Sequence, residues 1–466
     1  MKTPCLLFAL LIAAPARAQV VLNAFEVPLG GRSAILGTAA ADAQDEAGML
    51  LNPATLVDLH PRTLSLSLDG VAVSQARIHG FFRSSRLPND WNDDGSSSTT
   101  DVVPASLAFF VTPTGSPGES WHQVVGVALI RRTPEDYDVR AVYRELSQVE
   151  LALEDRIRLR TDVTGLALSW GCELPGGLAV GVTAMGYWLT STMVTDFAAD
   201  YFHTTTWNDV TRTYHFESTI DDKGILGVLG LRWRLGGFSV GASVRPPRLS
   251  LSRGWDYRTD DMTLLLLQNG ARGSSRVFQR GSLASGKFDD GWDLRAGVAL
   301  SVGPVSVAAD AGWSRVPGET KVDLAYTKET YTLTQAPAVE TGTTNGTVTL
   351  QSAVNGAVSL EVNLGAARLL AGLFRDASLS KVPDGAAGEG GYRLDRLGGA
   401  LGVGLDGDQG TTYFGVRYTH GSGTFGAFDL VKTGGGFSLE QRHADMTEHR
   451  VMVVASGSLR LGGGAK

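Results

Sequence analysis

Side chains with oxygen atoms recur at alternate positions of one polar segment, 90-DWNDDGSSSTTD-101. Positions 1, 3, 5, 7 and 12 of a calcium-loop template are occupied here by Asp90, Asn92, Asp94, Ser96 and Asp101. Calcium prefers several oxygen ligands, and alternate residues of a looped chain can supply them. The segment is therefore a candidate Ca²⁺ site with a structural role, and the alternative is a solvated polar loop. No other cofactor is expected.

Motifs of nucleophilic and metal-dependent catalysis are absent from the sequence, which contains no Gly-x-Ser-x-Gly, His-Glu-x-x-His or Cys-x-x-Cys pattern. His420 and Ser422 lie close together in 417-RYTHGSG-423 and leave a lipid hydrolase as an alternative. No spacing supports a complete catalytic set, and a histidine at the end of a strand is ordinarily an interface residue. The sequence therefore predicts that the chain is not an enzyme.

Residues 1–18, MKTPCLLFALLIAAPARA, have the pattern of a secretory signal peptide. Lys2 precedes a short apolar run, and the segment ends in a small-x-small cleavage site. Removal of Lys2 and Arg17 would change the net charge from −7 to −9. This acidic balance argues against nucleic acid as a partner, because nucleic acid needs a basic surface. The mature chain would keep Cys172 as its one cysteine and could form no intramolecular disulfide.

The chain beyond the signal peptide consists largely of segments in which apolar and polar residues alternate. In 62-RTLSLSLDGVAV-73 and 225-ILGVLGLRWRL-235 the alternation extends over about ten positions, the length of a tilted membrane-crossing strand. No later segment contains the ~18 consecutive apolar residues of a transmembrane helix. The 58 glycines are also far more than a soluble domain usually has. These features predict an all-β fold, a transmembrane antiparallel β-barrel.

Short and long connections between these segments alternate along the chain. Short glycine-containing links predict hairpins near Gly176, Gly236, Gly303 and Gly365. Long polar stretches such as 191–216 and 253–276 separate the hairpins. Outer-membrane barrels have short periplasmic turns and long outward loops. The asymmetry therefore predicts a protein of the outer membrane of a Gram-negative bacterium.

Three segments of the chain resemble the FadL/TodX family of outer-membrane transporters for long-chain fatty acids and other hydrophobic compounds. They are 29-LGGRSAILGTAAADAQDEAGMLLNPATL-56, 225-ILGVLGLRWRLGGFSVGASVRPPRLSLS-252 and 368-RLLAGLFRDASLSKVPDG-385. The resemblance covers the beginning, middle and end of the chain in order. It implies a barrel of about fourteen strands, which is too wide for the side chains of the wall to fill. A small N-terminal helical hatch is therefore expected in the lumen.

The resemblance divides the chain into a signal peptide at 1–18, a hatch at 19–59 and an outer-membrane β-barrel at 60–466. Asn52, Pro53 and Ala54 form the motif of the hatch. Pro53 ends a helix because the residue before a proline is biased away from the helical region. The side chain of Asn52 can then bond the backbone groups that the end of the helix leaves free.

The resemblance implies passive transport of hydrophobic small molecules, with long-chain fatty acids as the leading class and outer-membrane lipid around the barrel. Leu264, Leu265, Leu266 and Leu267 are candidates for a capture surface, because exposed apolar clusters usually mark binding sites. The lumen of such a barrel is expected to be polar and its outer face apolar. A structural or accessory barrel for a protein partner is the second hypothesis, and the lipid hydrolase is the third.

Overall fold

The computed structural model describes residues 30–461 apart from 61, 85–90, 103–104, 116–118, 147–148, 204–207, 267–269, 287–290, 317, 334, 381–391 and 434–435. The predicted signal peptide and residues 19–29 of the predicted hatch lie outside the described residues. The helices are α1 (Gly31–Leu36), α2 (Gly48–Leu51) and a 3₁₀ helix (Pro53–Asp58). No helix in these ranges is long and apolar enough to cross a membrane.

The strands of the described residues belong to a single sheet of nineteen. The first nine are β1 (Thr63–Ser84), β2 (Trp91–Val102), β3 (Ala105–Thr114), β4 (Gln123–Leu146), β5 (Val149–Leu174), β6 (Leu178–His203), β7 (Asn208–Leu235), β8 (Phe238–Arg245) and β9 (Leu249–Leu266). The others are β10 (Arg272–Gly286), β11 (Trp292–Val302), β12 (Val305–Arg315), β13 (Glu319–Thr332), β14 (Gln335–Thr349), β15 (Ala353–Asn363), β16 (Ala367–Asp376), β17 (Tyr392–Gly407), β18 (Gly410–Thr433) and β19 (Gly436–Arg460).

The sheet closes on itself into a barrel. Antiparallel pairing runs from β1 through β3, β4, β5, β6, β7 and β8, and then through β11, β12, β15, β16, β17 and β18. It ends at β19, which pairs with both β18 and β1. Each strand of this ring has two neighbours, so its backbone groups are satisfied without water.

The number of strands differs from the predicted count of about fourteen, because some crossings of the wall are broken into two strands. β8 and β9 follow each other along β7 and are separated by residues 246–248. Pro246 and Pro247 in this stretch have no backbone N–H to donate to a neighbouring strand. A period-two pattern does not show such a break, since the side chains continue to alternate on either side of it.

The four predicted hairpins join strands of the ring through tight turns. These turns are 175–177, 236–237, 303–304 and 364–366. Gly176, Gly236, Gly303 and Gly365 have φ of 80°, 59°, 58° and 94°, which is the left-handed region that glycine adopts without strain. The long polar stretches differ from the expected loops, because 191–216 and 253–276 are mostly paired strand.

Outward-facing side chains form an apolar belt next to the tight turns. On β5, Leu166 and Leu168 are 60% and 58% exposed, whereas Ala167 and Ser169 face inward and are buried. Exposed tryptophans lie at both limits of the belt, with Trp121, Trp170 and Trp233 toward the tight turns and Trp188, Trp292 and Trp313 at the other limit. A closed barrel with such a belt is a transmembrane β-barrel of the outer-membrane type. The structure therefore confirms the outer-membrane location that the sequence predicted.

Candidate functional site

Residues 30–59, here named the luminal segment, pack inside the barrel near the tight turns. α1 contacts β15, β16, β17, β18 and β19, and the 3₁₀ helix contacts β4, β5, β6 and β7. Because these two groups of strands lie on different sides of the ring, the segment crosses the lumen. Ile35, Asn52 and Ala54 of this segment have no exposed surface.

Asn52, Pro53 and Ala54 connect the luminal segment to the wall. α2 ends at Leu51, and Asn52 is extended, with φ of −157°, before Pro53 starts the 3₁₀ helix. The backbone N–H of Ala54 donates to Asn52 Oδ1 at 3.2 Å. Asn52 Nδ2 donates to the carbonyl of Leu231 on β7 at 3.1 Å and also to the carbonyl of Ala40. The side chain of Asn52 therefore bonds both its own turn and the barrel.

Glycines of the wall allow the backbone of the luminal segment to approach closely. A Cβ atom added at Gly181 or Gly230 would collide with the Asn52–Ala54 turn. A Cβ atom at Gly241 would meet the carbonyl of Ala40, and one at Gly372 would meet the carbonyl of Ile35. These glycines lie on β6, β7, β8 and β16, so the inner wall is shaped around the segment on several sides.

A chain of buried and half-buried ion pairs holds the first half of the luminal segment. Arg32 contacts Asp42 at 2.9 Å and Glu361 of β15 at 2.6 Å. Glu361 also contacts Arg368 of β16, which pairs with Asp406 of β17 at 2.6 Å. Burial opposes the charge of Arg32, but the carboxylates of Asp42 and Glu361 outweigh it and raise the pKa of Arg32. The segment and wall thus share one charge network.

Two neighbouring acids of the luminal segment are satisfied by hydroxyl and backbone donors. The backbone N–H and the hydroxyl of Ser33 both donate to Asp45 at 2.7 Å. The Glu46 carboxylate accepts from Ser65 of β1 and from Ser106 of β3, the latter at 3.0 Å. Burial and the charge of Asp45 raise the pKa of Glu46 to about 7. The carboxyl of Glu46 is therefore poised to take up a proton close to neutrality.

Farther from the tight turns, the interior of the barrel contains a packed cluster of buried apolar and aromatic side chains, here named the upper cluster. Its largest members include Phe81, Phe82, Ile157, Phe216, Trp255 and Phe425. Phe81 and Phe82 meet edge to face with ring centroids 5.0 Å apart. The expected polar lumen is therefore wrong for this part of the barrel, where inward-facing residues of many strands form one contiguous apolar surface.

The upper cluster arises because the apolar face changes sides along individual strands. On β5, Ile157 and Leu159 are buried inside, while Arg156 and Arg158 are exposed outside. Nearer the tight turn, Leu168 is exposed on the outer face instead. The change is readable as a shift of apolar residues from odd to even positions between 154-EDRIRLR-160 and 163-VTGLALSW-170. Each alternating run taken alone does not show this signal, because the change appears only when the positions of the two runs are compared.

β7 shows the same change of side. Phe216 and Ile220, at even positions, are buried in the lumen, whereas Leu229 and Leu231, at odd positions, are exposed outside. The part of the wall with charged outer residues therefore has an apolar interior, and the part with an apolar exterior encloses the luminal segment. The first part is suited to receive a hydrophobic molecule and the second to lie in lipid.

The segment predicted to be a calcium loop is a strand. Residues 91–102 form β2, in which alternate residues lie ~7 Å apart along one face, so their oxygens cannot converge as in a loop. Asp94 accepts from Arg77 at 2.6 Å and from the backbone N–H of Gly80 at 2.7 Å, and Ser96 is exposed. Asp90 and the side chains of Asn92 and Asp101 lie outside the described part.

The expected loop conformation is therefore wrong, and calcium binding stays a prediction. No group of three or more His, Cys, Asp or Glu side chains in the described ranges is arranged to hold a metal ion.

Two other candidates lie on the outer face of the wall. Leu264 and Leu266 of β9 are both 43% exposed. They lie at even positions of the strand, whereas Trp255 and Tyr257 at odd positions face inward. Leu265 is half-buried, and Leu267 lies outside the described residues. A capture role for these leucines stays a prediction. His420 is exposed beside His449, with ring centroids 4.9 Å apart, and the geometry gives no support to a hydrolase site there.

Solved structures of membrane transporters share this architecture. The toluene transporter TbuX of Ralstonia pickettii aligns with 95% of this chain and 100% of its own length, at 14% identity and a TM-score of 0.56. The toluene transporter TodX of P. putida aligns with 94% and 100%, at 14% identity and 0.57. A FadL homologue of Pseudomonas aeruginosa gives 94% and 100%, at 12% identity and 0.56.

No protein-family model and no curated protein matches the chain. The structural likeness extends over almost the entire chain, so it concerns the whole architecture. It confirms at the level of the fold the resemblance seen in the sequence, and it agrees with the prediction that the chain is not an enzyme. This chain therefore has the fold of the FadL-type outer-membrane hydrocarbon transporters.

Proposed function

We propose that this protein is a passive channel for hydrophobic small molecules across the outer membrane. The upper cluster is the observation that carries the proposal. A water-filled pore would have polar side chains along its lumen, whereas here Phe82, Phe216 and Trp255 face inward. An apolar lumen gives a hydrophobic molecule an environment that it prefers to water. The toluene transporters of similar fold support the same class of ligand.

The luminal segment acts in this proposal as the hatch, and fourteen crossings make up the wall. Five crossings would each consist of two strands: β2 with β3, β8 with β9, β10 with β11, β12 with β13, and β14 with β15. A barrel that wide has a lumen that needs an inner element to close it. The glycine contacts and the Arg32 network support a segment that is held firmly in the ground state and released when a ligand passes.

Neutral molecules fit the lumen better than long-chain fatty acids do. Three buried arginines of the lumen, Arg32, Arg232 and Arg396, each contact a carboxylate of the protein. A fatty acid carboxylate would have to replace one of these partners and leave it buried without a counter-charge, which is costly. A neutral hydrocarbon needs no such exchange. We therefore place neutral hydrophobic compounds first and long-chain fatty acids second.

Uptake by cells that lack their own hydrophobic-compound transporters tests the proposal. Cells carrying the chain are expected to accumulate labelled toluene faster than empty-vector cells, and labelled oleate more slowly than toluene. Ile157→Asn places an amide in the upper cluster and should lower toluene uptake about tenfold, because an unsatisfied buried amide costs ~1–3 kcal/mol. Val142→Asn is the matched control, since Val142 is exposed on the outer face of β4.

Heat-modifiable gel migration shows whether each variant is a folded barrel. Folded wild-type barrel without uptake of either compound would overturn the channel and favour an accessory barrel with a protein partner. Uptake of oleate in preference to toluene would return fatty acids to first place. Equal uptake by the Ile157→Asn and Val142→Asn variants would show that the upper cluster is not on the route.

A further inference from the structure

Four buried polar side chains meet at the edge of the upper cluster that lies toward the luminal segment, and one of them, Tyr137, belongs to that cluster. Glu448 of β19 accepts hydrogen bonds from Arg396 of β17 at 2.6 Å and from Ser74 of β1 at 2.8 Å. It also accepts from the hydroxyl of Tyr137 on β4 at 3.2 Å. The Tyr137 hydroxyl and the Arg396 guanidinium contact each other directly. We name Ser74, Tyr137, Arg396 and Glu448 the Tyr137 bridge.

The Tyr137 bridge crosses part of the lumen. β1 and β2 separate β19 from β4 in the sheet, so Tyr137 reaches Glu448 through the interior and not along the wall. On β19, Glu448 follows Met446 of the upper cluster and precedes Met452, which clusters with Ile35 of the luminal segment. A molecule that moves from the upper cluster toward the luminal segment on this side of the barrel therefore meets the bridge.

Stability is a weak reason for the Tyr137 bridge to exist. Tyr137, Arg396 and Glu448 are at most 4% exposed, and a buried ion pair is often no more stabilising than apolar residues of the same volume. Apolar side chains would also be the natural continuation of the upper cluster. The bridge places one positive and one negative group within an otherwise apolar part of the interior, which is an arrangement suited to discriminate between charged and neutral molecules.

We infer that the Tyr137 bridge makes the channel selective for neutral molecules against anions. The inference rests on the proposed function. Arg396 is the buried cation that an anionic ligand would meet at this level, next to the half-buried Arg450, and Glu448 already pairs with Arg396. An incoming carboxylate must either displace Glu448 or pass beside its negative charge in a low-dielectric lumen, where like charges repel strongly. A neutral molecule has only to move past the Tyr137 ring.

Two substitutions test the inference, one that removes the negative charge of the bridge and one that removes its positive charge. Labelled toluene and labelled benzoate share a ring and differ in the carboxylate. Glu448→Gln leaves Arg396 without its counter-charge and should raise the benzoate-to-toluene uptake ratio about tenfold, since an uncompensated charge in a cleft concentrates the opposite ion. Arg396→Gln leaves Glu448 and should lower the ratio. The double variant is neutral again and should return the ratio to the wild-type value.

Glu154→Gln is the matched control, because Glu154 pairs with Arg140 on the exposed outer face of the wall. A role in folding alone would change the amount of heat-modifiable barrel and the uptake of both probes together, so an unchanged ratio in both folded single variants overturns the inference. Wild-type uptake of neither probe overturns the proposed function and the inference with it. Opposite shifts in the two single variants, cancelled in the double variant, would establish charge selection at the bridge.

Discussion

Gly230 illustrates how the fit between wall and luminal segment depends on a missing side chain. It lies on β7, next to Leu231, whose carbonyl accepts a hydrogen bond from Asn52. An added Cβ at this position would meet Asn52 Oδ1 and the ring of Pro53. Asn52 has no room to withdraw, because its amide is held by the carbonyl of Ala40 and its oxygen by the N–H of Ala54.

Gly230→Ala should therefore destabilise the docked luminal segment by ~1–3 kcal/mol, the usual cost of overpacking. The urea midpoint of unfolding of the purified barrel measures the effect. Gly186→Ala is the matched control, because Gly186 lies on the neighbouring strand and an added Cβ there meets nothing within 4 Å. Equal midpoints for the two variants would mean that the segment is not held against β7 as described.

At the scale of the strand, the change of apolar side marks where the membrane ends. On β5 the outer face is apolar at Leu166 and Leu168 and charged at Arg156 and Arg158. On the neighbouring strand, Trp188 is exposed at the same limit, with the Lys223 ammonium 4.3 Å from its ring centre. An indole and an ammonium together are typical of the boundary between hydrocarbon and head groups.

A lysine placed on the outer face should therefore lower the stability of the barrel much more on the lipid side of this boundary than on the other side. Leu168→Lys should cost ~2–4 kcal/mol of barrel stability, because the charge enters hydrocarbon. Val142→Lys should cost little, because Val142 lies among the charged outer residues of β4 beside Arg140 and Arg144. Urea unfolding in lipid bicelles compares the two variants, and a similar loss of stability in both would place the boundary elsewhere.

Local patterns could predict the barrel and its tight turns but not the contacts in its interior. The turns at Gly176 and Gly236 depend on residues next to each other, and the Asn52-Pro53 pair ends α2 for a local reason. The Tyr137 bridge joins residues up to 374 positions apart, and no periodicity relates them. The prediction of a polar inner face was also wrong at the upper cluster. Alternation shows that a strand has two different faces, but it does not show which face meets lipid.

At the scale of the whole molecule, the luminal segment extends across the interior of the ring. Its two halves dock on different sides, α1 on β15 to β19 and the 3₁₀ helix on β4 to β7. The ion pairs from Arg32 to Glu361 and from Arg232 to Asp58 fasten both halves to the wall. Removal of the segment would therefore leave both a wider passage and uncompensated charges on the inner face.

Deletion of residues 30–59 from the chain should make the outer membrane permeable to hydrophilic solutes. A large water-soluble dye that ordinary porins exclude measures the leak, and cells with the full chain provide the baseline. Heat-modifiable migration must show that the shortened barrel is folded. A folded deletion variant that admits no more dye than the full chain would contradict a hatch role for the segment.

The longest strands extend far beyond the thickness of the membrane. β7 has 28 residues. At ~3.3 Å per residue it is ~90 Å long, and because strands tilt by ~40° from the barrel axis it extends ~70 Å along that axis. The apolar belt of such barrels is ~25 Å tall. The interior around Phe216 and Ile220 thus lies beyond the lipid on the side away from the tight turns. Under the proposed function, a hydrophobic solute leaves water well before it reaches the depth of the bilayer.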